Sequence, residues 1–447
     1  MPGTGTTGYV DHDVNNRGHQ RNFANKMHIL VITDRYFPEI SAASFRVRDH
    51  AREWIDSGHE VTVVTCVPNF PHGRVFEGYR NRLYQEEWID GVRVIRVGSY
   101  MTANVGTVKR TLDYMSFALM ASLMCWRFPK FDVILATSPP LFVGIAGYVV
   151  SRLRRRPWVF EIRDLWPASI KAVGASNSRI LDLFEDLELF LYRKADRILA
   201  LTESFRLNLE RRGVPSEKID VVTNGVDTRR FDPTRVQENA KKRLGVGEGQ
   251  FLVGYIGTVG MAHGLETLLD AAELCIDDPK ITFLIMGEGA EREKLETQAL
   301  DRGLRNVIFH DFVPQEEVPS FLAALDVGIV HLKPDPLFKT VIPSKLFEYM
   351  AMAKPMVYAV EGESAEIVKA VGAGLCVPPG DPYAIASAVR ELRREPERLA
   401  EMGRLGREAV ERQYARSVKA GQAVQCLERA LKRSTESWSP GGSNGRS

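Results

Sequence analysis

Short apolar segments alternate with helical patterns along most of the chain. The apolar segments fall into two sets, at residues 27–33, 60–65, 131–137, 157–162 and 197–201, and at residues 251–256, 281–286, 306–310, 326–331 and 355–359. Between them, positions such as Leu265, Leu268, Leu269 and Ala272 follow the i, i+3, i+4, i+7 spacing of one helix face. Strands that are apolar throughout and alternate with helices are typical of parallel sheets covered on both faces. The pattern therefore predicts an α/β protein.

About ten strands in two groups exceed a comfortable single open sheet, so the sequence predicts two Rossmann-like domains. Gly, Pro, Asn and charged residues cluster over residues 211–250 and mark the boundary between them. The predicted division is a disordered tail at 1–26, a first domain at 27–210, a linker and the start of the second domain at 211–250, a second domain at 251–414, a helix that crosses back to the first domain at 415–433, and a disordered tail at 434–447.

The composition, with 44% hydrophobic and 26% charged residues in 447, is that of a soluble globular protein. The five cysteines are scattered and form no CxxC pair, which favours reduced thiols and a cytoplasmic location. The net charge of +2 gives no indication of nucleic-acid binding. The charge is uneven, however, because residues 109–163 carry nine basic side chains against three acidic ones.

The apolar segment at residues 114–126 lies inside this basic region and is too short to span a bilayer. A second candidate, residues 133–150, is interrupted by Ser-Pro-Pro and is interpreted as a strand, a loop and a buried helix. We therefore expect no transmembrane helix. The segment at 114–126 is either a core helix or a helix in the plane of a membrane surface.

Ligands bind open parallel sheets at the carboxyl ends of the strands, so the loops that follow the strands are the candidate sites. The segment GTVGMAHG follows one strand and contains Gly257 and Gly260, which let a backbone approach a ligand closely or simply form a tight turn. Gly287 and Gly289 follow the next strand, with Arg292 where a dinucleotide fingerprint would have its third glycine. Neither loop has the spacing of that fingerprint.

The segment FKTVIPSKLFEYMA, residues 338–351, is the most informative one. Ser344 is a candidate N-cap of a helix, and Lys345 and Glu348 lie in its first turns. A diphosphate at this helix start would meet free N–H groups, the helix dipole and the Lys345 ammonium, and Glu348 could accept hydrogen bonds from ribose hydroxyls. The alternative is an i, i+3 ion pair on the surface.

Two loops of the first domain are further candidates. Glu161, Arg163 and Asp164 stand at a strand end, where buried charges must pair with each other or face a cleft. The small residues 41–44 precede a helix and resemble a relaxed phosphate or sugar loop, although a plain turn explains them nearly as well.

Motifs of other reaction classes do not appear in the sequence. The one DxD, at residues 11–13, lies in the predicted tail, and the nine histidines show no metal-ligand spacing. There is no GxSxG, Walker loop or catalytic Cys/His pair. If a diphosphate is the leaving group, helix dipoles together with Lys and Arg side chains must stabilise it.

Several segments together resemble glycosyltransferase family 4. They are VPSFLAALDVGIVHLKPD and PSKLFEYMAMAKPMV with NGVD upstream and GLCVPPGDPYAIASAV downstream, and FPEISAASFRVRDHAREWIDSGHEVTVVT near the start. The segments PNFPHGRVFEGY, EIRDLWPAS and TVIPSKLFEYMA are similar to the branch of bacterial L-fucosamine transferases of surface-polysaccharide synthesis. The resemblance implies the GT-B fold, in which two Rossmann-like domains with parallel sheets face each other across a cleft.

The resemblance also implies the reaction. It is a retaining, metal-independent transfer from a nucleotide sugar, with uracil as the expected base, to a lipid-linked or saccharide acceptor. No cofactor besides this co-substrate and no nucleic-acid partner is expected. The expected location is the cytoplasm, with peripheral attachment to the inner face of the cell membrane as the open alternative.

The resemblance also implies which residues of this chain form the site, because the family's site residues match positions of this sequence. The implied donor-site residues are Gly257, Thr258, Gly260, His263, Gly287, Gly289, Lys339, Thr340, Ser344, Lys345, Leu346 and Glu348. The implied catalytic residues are Arg163, Asp164 and Lys345, and the acceptor site is expected at Ser41, Ala42, Ala43, Ser44 and Arg46.

The chain departs from the family pattern at several of these positions. The first of the family's paired glutamates, which touches the donor sugar, is Thr340 here, while the ribose-binding one is Glu348. The usual Arg and Lys of the phosphate loop are Thr258 and His263, and the usual His of the first-domain HD motif is Arg163. The phosphate charge is therefore expected to rest on Lys345, on the amides of residues 344–346 and on Lys339.

Three other functions compete with this interpretation. A UDP-sugar 2-epimerase has the same fold and would convert the donor without an acceptor. A non-catalytic nucleotide-sugar-binding protein would bind the donor and release no nucleotide. A nucleotide-dependent dehydrogenase is disfavoured, because no GxGxxG follows a strand.

Overall fold

The computed structural model describes residues 26–103, 107–165, 178–236, 240–247 and 249–437. The predicted tails lie almost entirely outside these residues, as does the segment that follows Leu165 in EIRDLWPAS. The described chain forms two sheets, so the prediction of an α/β protein with two parallel-sheet domains is confirmed.

The first sheet has eight strands in the order β3-β4-β2-β1-β5-β6-β7-β8. They are β1 (His28–Ile32), β2 (Glu60–Cys66), β3 (Tyr84–Ile89), β4 (Val92–Val97), β5 (Val133–Ser138), β6 (Trp158–Ile162), β7 (Arg197–Ala200) and β8 (Ile219–Val221). Its helices are α1 (Ala42–Asp56), α2 (Thr107–Leu123), α3 (Phe142–Arg154), α4 (Ser178–Lys194) and α5 (Glu203–Arg211). Strand β8 extends this sheet into the region predicted as a linker.

One pair of strands in this sheet is antiparallel, which the sequence pattern did not predict. Strands β3 and β4 pair antiparallel through a two-residue turn, in which Asp90 and Gly91 have φ of 50° and 77°. Positive φ at both central residues is the requirement of a tight hairpin turn and favours Asp-Gly. Strand β3 was missed because it is a half-exposed edge strand, rich in glutamate, rather than an apolar one.

The second sheet is parallel throughout, in the order β11-β10-β9-β12-β13-β14. Its strands are β9 (Phe251–Ile256), β10 (Ile281–Met286), β11 (Val307–His310), β12 (Val327–His331), β13 (Met356–Ala359) and β14 (Gly374–Cys376). The helices that follow the first domain are α6 (Ala240–Arg243), α7 (Glu266–Leu274), α8 (Arg292–Asp301), α9 (Val318–Ala324), α10 (Ser344–Ala351), α11 (Glu363–Val371), α12 (Pro382–Arg394), α13 (Pro396–Ala409) and α14 (Arg416–Ser437).

Each sheet has an apolar cluster on both faces, which explains why its strands are apolar throughout. The last helix, α14, contributes Val424 and Leu427 to a cluster of the first domain. The indole Nε1 of Trp54 on α1 donates a hydrogen bond of 2.9 Å to the carbonyl of Ala420 on α14. The last described helix therefore packs on the first domain after the chain has formed the second.

The strand orders identify where ligands are expected. Among the parallel strands of each sheet the order reverses between β1 and β5 in the first domain and between β9 and β12 in the second. Crevices outside the carboxyl ends of strands at such reversals are the usual ligand sites of open α/β sheets. The glycine loop at residues 257–264 begins directly after β9 and therefore lies at this point.

Candidate active site

The two glycine loops of the second domain pack backbone against backbone. The amide of Val259 donates to the carbonyl of Glu288 at 2.8 Å, and the amide of Gly257 donates to the carbonyl of Met286 at 2.8 Å. Gly287 has φ of 137°, and a Cβ on it would overlap the carbonyl oxygen of Gly257. Close approach of the two loops therefore accounts for Gly287, and for Gly289, whose Cβ would overlap the carbonyl of Val259.

Arg292, which occupies the place of a third glycine, ties this loop to its neighbour. Its Nη1 donates hydrogen bonds to the carbonyls of Gly287, at 2.7 Å, and His310, at 2.8 Å. The GxG segment is thus held by an arginine from the helix that follows it, and a role of Gly287 and Gly289 in donor binding stays a prediction.

Lys345 lies in a pocket formed by Tyr255 and Gly257. Its ammonium donates a hydrogen bond of 3.0 Å to the hydroxyl of Tyr255 and lies 4.4 Å from the centre of that ring. A Cβ on Gly257 would stand 2.6 Å from the Lys345 Nζ, so the glycine makes room for the lysine. Because an ammonium has three donors, a bond to Tyr255 leaves capacity for an anion.

Burial lowers the pKa of Lys345 to about 8, and the nearby Glu348 carboxylate acts in the opposite direction. A lysine with this pKa is still mostly protonated at neutral pH, and its poorly hydrated charge interacts more strongly with an anion than an exposed one would.

Helix α10 begins at Ser344, and Pro343 is the residue at its cap position. The prediction that Ser344 is the N-cap is therefore wrong, and Pro343 makes no side-chain capping hydrogen bond. Pro343 is fixed near φ −59° and needs no N–H partner, which explains how the chain enters the helix without a cap. The amide of Leu346 donates to the Pro343 carbonyl at 3.2 Å, and the amides of Ser344 and Lys345 remain at the positive end of the helix.

Glu348 lies half-buried, one turn further along α10. Burial raises the pKa of its carboxyl group, whereas Lys345, Arg230 and Arg416 act to lower it. Lys345 and Glu348 do not form an ion pair among the described residues, and the Lys345 ammonium contacts Tyr255 instead. The surface ion-pair alternative is therefore wrong.

Two histidines shape the loop after β9. His331, at the end of β12, is buried, its Nδ1 lies 2.6 Å from the carbonyl of His263, and its Nε2 accepts a hydrogen bond from the amide of Gly380 at 3.0 Å. This arrangement requires a neutral ring that donates from Nδ1, in agreement with the lowered pKa that burial gives His331. Burial and the nearby Lys345 ammonium lower the pKa of His263 to about 4, so His263 adds no charge at neutral pH.

The remaining donor-site candidates lie on the short helical turn Pro336–Thr340 and on the glycine loop. Lys339 is exposed and forms an ion pair of 2.8 Å with Glu361. The carbonyl of Thr340 accepts a hydrogen bond from the hydroxyl of Thr202, a residue of the first domain. Thr258 is exposed at the tip of the glycine loop, and Gly260 is half-buried there.

In the first domain, Arg163 lies half-buried directly after β6. Its Nε donates to the carbonyl of Ser138, which ends the neighbouring strand β5, at 3.1 Å. Burial lowers the pKa of Arg163 to about 10, with Glu161 acting against it. Asp164 is the next residue and is also half-buried. Arg163 and Asp164 thus flank the carboxyl end of this sheet.

The predicted acceptor residues divide into two kinds. Ser41 caps α1 by accepting a hydrogen bond from the amide of Ser44 at 3.2 Å, while Ala42 is exposed and Ala43 half-buried. Arg46 is buried, and its guanidinium contacts Glu161, the carbonyls of Val222 and Thr223, and the Asn224 side chain. The structure thus places Arg46 in the protein interior, where it links β6 to the segment between the domains.

A small polar cavity of about 20 Å³ was missed by sequence reasoning. Asp34 and Arg35, which follow β1, line it together with Arg110 and Asp113 of α2. Burial, followed by the charge of Asp34, raises the pKa of Asp113 to about 7. The position of Asp34 directly after a strand was a signal in the sequence, whereas nothing marked Asp113, which reaches the cavity from a distant helix.

Fold and site together define a class of protein. It has two Rossmann-like domains, a glycine loop at the strand reversal of the second, and a lysine beneath that loop at a helix start, which is an arrangement typical of α/β enzymes that bind anionic ligands. The comparisons with known proteins identify the family.

Two family models match the chain. The glycosyl transferase 4-like domain covers residues 41–225, and the glycosyl transferases group 1 domain covers residues 236–409. The D-rhamnosyltransferase WbpZ of Pseudomonas aeruginosa is 30% identical over 346 residues, which are 68% of this chain and 87% of that protein. The putative colanic acid biosynthesis glycosyl transferase WcaI of Escherichia coli is 27% identical over 378 residues, 82% and 92% of the two chains. The chain therefore belongs to the glycosyltransferases with a 4-like first domain and a group 1 second domain. It is an enzyme, as its sequence predicts.

Solved structures confirm the GT-B fold. Anabaena Alr3699/HepE, determined in complex with UDP, matches with a TM-score of 0.66 at 18% identity and covers 90% of this chain and 100% of its own. The glycosyltransferase WaaG matches with a TM-score of 0.63 at 14% identity, over 89% and 99% of the two chains. The narrower resemblance to L-fucosamine transferases stays a prediction.

Proposed function

We propose that this glycosyltransferase transfers a hexosyl or N-acetylhexosaminyl group from a UDP-sugar to a lipid-linked saccharide in cell-surface polysaccharide biosynthesis, with retention at the anomeric carbon. The observation that carries the proposal is the Lys345 ammonium held between Tyr255 and Gly257 at the start of α10. The names of the relatives, which include a colanic acid transferase, and the UDP complex of Alr3699/HepE support the donor and the pathway class.

The donor fits the second domain as follows. Its diphosphate would lie on the Ser344 and Lys345 amides and the Lys345 ammonium, where the helix dipole adds to the charge. Its ribose hydroxyls would donate to Glu348. Because His263 is neutral and Thr258 carries no charge, Lys345 supplies the cationic contact that the usual phosphate-loop residues would otherwise provide.

The reaction would proceed on one face of the sugar. The bond from the anomeric carbon to the phosphate oxygen breaks, the acceptor hydroxyl oxygen bonds to the same face of that carbon, and its proton passes to the departing phosphate. Lys345 and the start of α10 stabilise the charge that grows on the diphosphate, so no protein base is needed. Arg163 and Asp164 would lie beside the transferred sugar and orient it. In this scheme the protein needs no metal ion.

A transfer assay with UDP-sugars and lipid-linked saccharide acceptors tests the function. We expect a product whose anomeric configuration matches the donor and a rate that EDTA does not change. A product of inverted configuration, or loss of the rate in EDTA, would contradict the mechanism. Isomerisation of the donor without an acceptor would indicate the epimerase, and nucleotide binding without any turnover would indicate a non-catalytic binding protein.

The lipid-linked acceptor is supported by the outer face of α2 and the short turn after it. Large apolar side chains on this face are between 49% and 74% exposed. They are Val108, Leu112, Met115, Leu119, Leu123 and Trp126. The inner face of the same helix packs into the core through Phe117, Ala118 and Ala121. The predicted segment 114–126 is therefore part of a two-sided helix, and we name its exposed side the α2 face.

Basic residues surround the α2 face. Lys109, Arg110 and Arg127 are exposed on it or beside it, and Arg152 and Arg155 are exposed at the end of α3, which packs against α2. An apolar stripe with a basic border matches an anionic bilayer surface, to which each Lys or Arg adds about 1 kcal/mol. No helix in the described part of the chain is long and apolar enough to cross a membrane. We therefore propose peripheral attachment through the α2 face.

Vesicle sedimentation tests this attachment. We expect the protein to pellet with vesicles rich in phosphatidylglycerol, and the triple variant L112Q/L119Q/L123Q to stay in the supernatant because it loses the apolar contact. The variant L300Q is the control, since Leu300 on α8 is 81% exposed but stands outside the α2 face. Equal pelleting of the triple variant and the wild type would contradict attachment at this face.

A further inference from the structure

A carboxylate of the second domain binds the start of a helix in the first domain. The Glu363 Oε1 accepts a hydrogen bond from the amide of Glu203 at 2.9 Å, and its Oε2 accepts from the amide of Ser204 at 2.8 Å and from the Ser204 hydroxyl at 2.9 Å. Glu203 and Ser204 begin α5, where amides have no acceptor within the helix and the dipole is positive. Charge-assisted bonds of this kind are among the stronger hydrogen bonds in proteins.

A second bond between the domains lies beside the first. The Thr202 hydroxyl, at the N-cap of α5, accepts from the amide of Phe205 at 3.1 Å and donates to the carbonyl of Thr340 at 3.2 Å. Thr202 is only 2% exposed. The start of α5 is thus held by two separate segments of the second domain.

These two segments also contact each other. Gly362, next to Glu363, has φ of 87°, and a Cβ on it would overlap the carbonyl of Lys339. The ammonium of Lys339 in turn pairs with Glu361 at 2.8 Å. Residues 361–363 therefore pack on the turn that ends at Thr340 and leads into α10. We name Thr202, Ser204, Thr340 and Glu363 the interdomain latch.

We propose that Glu363 is a positioning residue. Through the interdomain latch it holds the first domain in a fixed position relative to the turn of the second domain that ends at Thr340. The effect of Glu363 on sugar transfer rests on the proposed function, whereas its effect on the arrangement of the two domains does not. Nucleotide contacts at Lys345 and Glu348 lie within the second domain, while the predicted acceptor residues lie in the first. Loss of the latch should therefore misplace the acceptor hydroxyl relative to the donor and leave nucleotide affinity intact.

The position of Thr340 makes this latch relevant to specificity. The resemblance places there the glutamate that touches the donor sugar in the family, and in this chain the residue is instead fixed through its carbonyl by Thr202. A side-chain hydroxyl of the first domain thus fixes the backbone of the turn that the resemblance places beside the donor sugar.

The test compares E363A with E366A. Glu366 is exposed on the same helix and pairs with Lys369, so its removal leaves the latch intact. We expect E363A to lower kcat about tenfold, which corresponds to a single lost interaction in the transition state, with nucleotide-sugar affinity unchanged. We also expect E363A to raise the radius of gyration in small-angle X-ray scattering. E366A should match the wild type in kcat, in nucleotide-sugar affinity and in radius of gyration. S204A keeps both amide bonds, so its kcat and radius of gyration should lie between those of the wild type and E363A.

Two results would overturn the proposal. One is an E363A variant with wild-type kcat and a wild-type scattering profile. The other is an equal loss of nucleotide affinity and kcat together with a lowered melting temperature, which would show that Glu363 only stabilises the fold. If the wild type transfers no sugar, the proposed function fails, and the scattering comparison alone decides whether the latch exists.

Discussion

Charge reversal at Lys345 should abolish nucleotide-sugar binding, and with it the thermal stabilisation that the donor gives the wild type. Removal of one partner of a buried, hydrogen-bonded charge pair costs about 2–5 kcal/mol, and even the lower figure is about a thirtyfold loss of affinity. In K345E a carboxylate would also stand beside Glu348 and repel the diphosphate. E348A should lose the thermal stabilisation by the donor as well, because the ribose hydroxyls lose their charged acceptor.

The pH dependence of donor binding distinguishes a role of the Lys345 charge from a loss of packing at that position. Since the pKa of Lys345 is lowered to about 8, the ammonium loses its proton as the pH rises through that value, and donor affinity should fall. K345M should bind weakly at every pH from 7 to 9. Lys369→Met, at an exposed lysine paired with Glu366, is the matched control and should behave as the wild type does. Normal donor binding by both K345E and E348A would show that the site assignment is wrong.

The sequence predicted the fold well where a strand is buried on both faces of its sheet. Strands such as β1 and β9 are covered on both faces, so their residues are apolar throughout and periodicity suffices. Strand β3 could not be predicted in this way, because an edge strand with Gln and Glu at successive positions shows no apolar run. Strand β8 is three residues long and lies in a segment whose Gly, Pro and Asn content is typical of a linker.

The candidate site was predictable as far as it is local in sequence. Lys345 and Glu348 share one helix start, and their spacing was visible in the chain. The contacts that shape their surroundings come from elsewhere, since Tyr255 lies near the end of β9 and His331, at the end of β12, contacts the glycine loop. Such long-range contacts have no signal in a single sequence. Ser344 was misplaced because Ser after Pro is as compatible with the first helical position as with the cap.

Arg46 shows the same limit more sharply. The family resemblance placed it in the predicted acceptor site, yet both Arg46 and Glu161 are only 2% exposed. Their Nη2 and Oε1 atoms lie 2.9 Å apart. Burial acts to raise the pKa of Glu161, but Arg46 and Arg163 overcome it and hold the pKa below its ordinary value. The pair therefore stabilises the fold above the ordinary glutamate pKa, and this contribution is lost as the pH falls below about 4.

We expect R46M to destabilise the protein by about 3–5 kcal/mol, because it leaves the Glu161 carboxylate buried without its partner. The loss should appear as a lower midpoint in urea denaturation, and R46M/E161Q should recover part of it because neither charge of the pair remains buried. Arg52→Met is the control, since Arg52 is exposed on the same helix and should unfold as the wild type does. An R46M protein of unchanged stability that no longer binds a saccharide acceptor would reverse this assignment. Arg46 would then contact the acceptor, and the ion pair seen here would open when the acceptor binds.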